Sequence, residues 1–184
     1  MKIRRLLRAA LVSVTLLAFG GCGGGGGGGG AGTPPGGTPP PPGGGQQVTV
    51  TLSTQGSLPA GTTIGGIDCT VQLPAGVTCR ADATGLTDAG SVLASGSAQG
   101  GVLLGNFTAA AGGTPGQVKL AVIPNLNSAT TAGFATGEFA TLNLDFSGAA
   151  PSVGDFTISG LNVVDFTSGQ VINGLTATVA VQIR

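Results

Sequence analysis

The chain reads as all-β: an antiparallel jelly-roll sandwich of about nine strands, preceded by a signal peptide and a disordered Gly/Pro linker. Three observations lead there. From residue 48 onward apolar residues recur at every second position, the period of a strand with one buried and one solvated face. Turn signals rich in Gly and Pro separate these runs, as in 58–61, 74–76, 112–116 and 147–151. Few windows place apolar residues at helical spacing, and the glycines scattered through the chain would break a helix.

The first 21 residues have the three-part plan of a cleavable export signal. Lys2, Arg4, Arg5 and Arg8 are the positive region, residues 9–19 are an apolar run, and Gly20 and Gly21 precede Cys22. A membrane-spanning helix needs about 20 apolar residues, so this run is too short to span. The stretch Phe19-Gly20-Gly21-Cys22 resembles the lipobox of bacterial lipoproteins. That resemblance implies that Cys22 becomes the mature N-terminus and receives a diacylglycerol, with acylation of its amine as well. Two or more acyl chains hold a bilayer stably where one does not. Gly23, in place of Asp, implies by the same resemblance sorting to the outer membrane, on its periplasmic face or at the cell surface.

Residues 22–47 are the lipidated cysteine and a tether. An unbroken run of glycines at 23–30 gives way to Pro34-Pro35 and to prolines at 39–42. The glycines make a flexible coil and the prolines favour extended polyproline II. As a coil, such a segment spans on the order of 25–30 Å, enough to hold a domain clear of a crowded surface.

Residues 48–184 are one domain's worth of chain. Val48, Val50 and Leu52 alternate with Thr49, Thr51 and Ser53. Ile67, Cys69, Val71 and Leu73 alternate with Asp68, Thr70 and Gln72, and after a Pro74-Ala75-Gly76 turn Val77, Cys79 and Ala81 continue the pattern. Val118, Leu120 and Val122 enclose Lys119 and Ala121; Leu142, Leu144 and Phe146 enclose Asn143 and Asp145. Leu175, Ala177, Val179, Val181 and Ile183 form the last run. Cys69 and Cys79 fall on the inward phase of what read as neighbouring strands, equally far from Pro74. In an oxidising compartment they are expected either to form a disulfide or to pack as two small buried thiols.

Composition excludes several function classes. Outside the leader, three cations (Arg80, Lys119, Arg184) face seven acids, a net charge of −4 with no cluster. A nucleic-acid partner needs a basic footprint that is missing here. The chain has no His, Trp or Tyr, so it lacks the commonest general base and the usual nitrogen ligands of catalytic zinc. No enzyme, metal site or cofactor is expected, and no acidic loop of the calcium-binding kind occurs.

Several runs together resemble the cohesin-like modules of the carbohydrate-binding-module superfamily. They are Val48-Thr49-Val50-Thr51-Leu52, Gly65-Gly66-Ile67-Asp68-Cys69-Thr70-Val71-Gln72-Leu73-Pro74, Gln117-Val118-Lys119-Leu120-Ala121-Val122 and, above all, Gly137-Glu138-Phe139-Ala140-Thr141-Leu142-Asn143-Leu144. The resemblance implies a nine-stranded jelly roll that grips a protein partner through one sheet face, or a relative that binds sugars. The expected function is thus a lipid-anchored, non-catalytic binding module. A carbohydrate-binding module and a structural envelope lipoprotein are the alternatives. The absence of flat amphipathic rings weighs against polysaccharide. Glu138 and Asp145, on the best-matching strand, are the candidate contact residues.

Overall fold

The computed structural model describes residues 46–127 and 132–184. The signal peptide, Cys22 and the tether up to residue 45 lie outside them. The described chain is a two-sheet antiparallel β-sandwich, as the alternation implies. In chain order its strands are β1 Gln46–Gln55, β2 Ile64–Gln72, β3 Val77–Thr78, β4 Val92–Ala94, β5 Val102–Thr108, β6 Gln117–Ile123, β7 Gly137–Phe146, β8 Thr157–Asp165 and β9 Thr176–Ile183. Short 3₁₀ turns at Gly96–Ala98 and Val153–Asp155 interrupt the connections.

The first sheet runs β3-β7-β1-β9, with β4 also pairing with β7; the second runs β5-β6-β2-β8. β1 begins at Gln46, two residues before the hydrophobic alternation, because Gln46 and Gln47 extend the ladder opposite Phe146 and Asp145. The core lies between the sheets. Val48, Val50, Leu52, Leu142 and Leu144 of the first sheet face Ile67, Val71, Val118, Leu120 and Val122 of the second, all essentially inaccessible to solvent. Burying each such side chain contributes about 1.5–3 kcal/mol, the main force holding the layers together.

One irregularity departs from strict alternation. Between Leu52 and Ser53 the β1–β7 register shifts, so Leu52 pairs with Ala140 and Ser53 with Glu138, leaving Phe139 as the extra residue. Such a bulge bends the strand. Phe139 and Ala140 are both fully buried as a result.

The placement of the cysteines needs correcting. β2 and β3 are not a hairpin. β2 belongs to the second sheet and β3 to the first, so the Pro74-Ala75-Gly76 turn carries the chain from one layer to the other. Cys69 on β2 and Cys79, just beyond β3, are both buried free thiols, and no disulfide joins them. Alternation gave their inward phase correctly but could not tell a hairpin from a crossover. The turn needs glycine at position 76: its φ is +79°, and a Cβ there would sit 2.6 Å from the carbonyl oxygen of Ser147.

Candidate binding faces

The two outward faces of the sandwich differ in chemistry. On the first sheet the outward residues are mostly Thr, Ser, Asn, Gln and charged side chains, with Leu93 of β4 exposed among them, and the polar ones bond mainly to one another. Thr49 donates to the side chain of Asn143 at 3.3 Å, and Asn143 Nδ2 donates to the Gly90 carbonyl at 2.8 Å. Thr141 donates to Ser95 Oγ at 2.9 Å.

Both acids singled out in the sequence stand on this face. Asp145 takes a two-point ion pair from Arg80, with Nε 2.8 Å from one oxygen and the terminal nitrogen 3.0 Å from the other. Gln47 donates to it at 3.4 Å. The hydrogen bond from Arg80 is the main cause that holds the Asp145 carboxyl below the usual carboxylate range. Glu138 is half-buried; its side chain accepts from Thr141 Oγ1 at 3.4 Å and its carbonyl from Ser97 Oγ at 2.8 Å. The structure brings neither acid together with a second carboxylate in a cleft. Nearby, Arg80, Asp88, Asn143 and Arg184 rim an open depression of about 340 Å³.

The outward face of the second sheet is different. A row of cross-strand neighbours runs across it: Val102 opposite Ile123, Gly66 beside Ile123, Val164 opposite Gly66, and Val171 bridged to Val164. Leu104, opposite Ala121, lies in the next row, and Leu86 is bridged to Asn106 on the same strand. Val102, Ile123, Leu86, Val171 and Leu104 are between 42% and 59% exposed. Gly66 carries no side chain, so the Ile123 and Val164 methyls approach each other over it; a Cβ there would lie 3.2 Å from Val164 and 3.8 Å from Ile123. Leu86, Leu104 and Ala121 also line a shallow, mainly apolar hollow of about 200 Å³ bordered by Lys119. Beyond this strip the same face turns polar, with Asp68 opposite Asn162 and Thr70 opposite Ser159.

This face was not singled out in the sequence, although a signal exists. Val102-Leu103-Leu104, Ala121-Val122-Ile123 and Val163-Val164 lack the polar residue that alternation requires at the outward position. An unbroken apolar run within a strand whose neighbours alternate marks a second apolar face.

Among the described residues no group of three or more His, Cys, Asp or Glu side chains is placed to hold a metal ion. No family model matches the chain, and no curated protein or solved structure matches it either.

Proposed function

We propose that the chain is a non-catalytic binding module, held at the outer membrane by acylated Cys22 and docking a partner protein through the outer face of the β5-β6-β2-β8 sheet. The observation that carries this reading is the apolar row from Val102 to Val171, continued by Leu104 and Leu86. Contiguous exposed apolar surface rimmed by polar groups is the usual mark of a protein interface. Lys119 and Asp68 at its border would fix orientation and discourage wrong partners. The first sheet offers less, because its polar side chains already pair with one another. Support for the anchor comes from residues 1–22 and for display from the Gly/Pro tether, both read from sequence. A sugar ligand is less favoured, since the row is aliphatic and offers no ring for stacking.

The test is site-specific photo-crosslinking of the full chain in its host envelope. The reactive side chain replaces Leu104 in one variant and Thr51, on the first sheet, in another. A discrete protein adduct from position 104 and none from 51 is the expected result. No adduct at 104, or equal adducts at both positions, would overturn this face as the docking surface. Labelled palmitate incorporated by the native chain and lost in Cys22→Ser tests the anchor separately.

A further inference from the structure

The β-sandwich has four sheet edges, and three are shielded by devices that block strand addition. Along β5, residues 85–87 cover the Gly105–Phe107 half of the free side: Phe107 N–H donates to the Gly85 carbonyl and Thr87 N–H to the Gly105 carbonyl. Along β8, residues 170–172 occupy one half, with Asp165 N–H donating to the Gln170 carbonyl and Ile172 N–H to the Val163 carbonyl. The other half of β8 carries Gly160 at φ +62° and a register shift against β2. The far edge of the first sheet consists of β3 and β4, two and three residues long.

β9 has no such device. It pairs with β1 over eight residues without a register shift, and among the described residues nothing pairs with its other side. Thr176–Ile183 contains no charge, no proline and no glycine. Arg184 N–H donates to the Gln47 carbonyl. Antiparallel alternation then turns the N–H and C=O groups of Ala177, Val179, Val181 and Ile183 outward, away from β1. The side chains of Val179 and Val181 are only partly covered by the core, and Ile183 is 44% exposed.

We propose that this edge pairs with β9 of a second copy of the chain, antiparallel about a two-fold axis at Ala180. That register sets Val179 against Val181 of the second copy and Ala177 against Ile183, so inward side chains meet inward ones. It supplies about eight backbone hydrogen bonds. No like charges oppose across the axis, since the paired segment is neutral and Arg184 falls opposite Thr176. The chain's own tether is a poor occupant of the edge. Residues 33–42 include six prolines, which have no N–H to donate, and the flanking glycines bring no side chains to cover Val179, Val181 and Ile183. A second β9 brings both, and an interface using the same patch twice closes as a dimer.

The test introduces Ala180→Cys, Thr178→Cys or Gln182→Cys into the full chain, oxidises each in the host envelope and compares covalent dimer with the parent chain. In the proposed register residue 180 meets its own copy at a Cα separation of about 4.5 Å, within disulfide reach, whereas 178 and 182 lie too far from their own copies. The dimer yield from position 180 is expected to exceed that from 178 or 182 by about tenfold or more. Ala180→Lys, which places like charges at the axis, should shift the native chain to monomer in sedimentation. No covalent dimer at 180, equal yields at all three positions, or a crosslinked product containing a different protein would overturn the proposal. The docking face on the other sheet is untouched by either result.

Discussion

Arg80 grips Asp145 through two parallel hydrogen bonds, tying the segment after β3 to the outward face of β7. The acid that best suited a contact residue in the sequence is therefore committed to holding the first sheet together. Because Arg80 is exposed and Asp145 only partly covered, the pair's worth is modest despite good geometry. Arg80→Ala is expected to leave the urea unfolding midpoint almost unchanged, with partner capture unchanged as well. A loss of capture with stability intact would return this face to the list of binding surfaces.

Acid should destabilise the domain. Asp145 is held below the ordinary carboxylate range by Arg80, Asp82 by Thr84, Asp155 by Ser152 and Asp165 by Ser168. A depressed folded pKa adds stability above the unfolded value, near 4, and that contribution disappears as pH falls through the folded value. Chemical unfolding midpoints should therefore be flat from pH 7 to about 5 and decline below about 4. A midpoint that rises on acidification would contradict these hydrogen bonds.

The two thiols make the opposite prediction. Burial, aided by Asp68, pushes Cys69 up to about 12, and burial, aided by Asp88 and Asp145, pushes Cys79 up to about 11. A raised folded pKa keeps its full stabilisation below the unfolded thiol value, near 8.5, and loses it as pH climbs toward the folded values. Stability should thus fall above about pH 8.5. Neither thiol should react with iodoacetamide in the native domain, and both should react in denaturant without reductant. A mass two hydrogens short and silent to alkylation would show a disulfide instead.

How these thiols meet, or fail to meet, also shows where the sequence was legible. Period-two alternation identified six of the nine strands, missing β4, β5 and β8, and put Val50, Leu120, Leu142 and Cys69 inside, because burial of one face is a local property of the chain. It could not assign β2 and β3 to different sheets, since a hairpin and a crossover can share the same Pro-Ala-Gly turn. The bulge at Phe139 was equally hidden, as it depends on how β7 meets β1. The proposed docking face was partly visible: Ala121 and Ile123 are apolar where polar residues belong. Only pairing with Val102, Gly66 and Val164 aligns them into a row.

Gly76 should be hard to replace in the crossover turn. Its positive φ and the 2.6 Å approach to the Ser147 carbonyl that a Cβ would make both penalise any side chain. Gly76→Ala is expected to cost about 2 kcal/mol or more, through backbone strain and displacement of the Ser147 segment. A neutral effect on the unfolding midpoint would mean that the crossover relaxes more freely than its geometry implies.

On the proposed reading, the aliphatic row on the second sheet docks a partner protein. Saturation binding of the full chain to the protein captured by photo-crosslinking tests this, comparing Ile123→Lys and Leu104→Lys with Thr51→Lys and Thr141→Lys. A charge forced into a desolvated apolar contact should weaken binding by about tenfold or more, while the first-sheet variants should bind as the native chain does. Unchanged affinity in both Ile123→Lys and Leu104→Lys, with folding intact, would contradict the account.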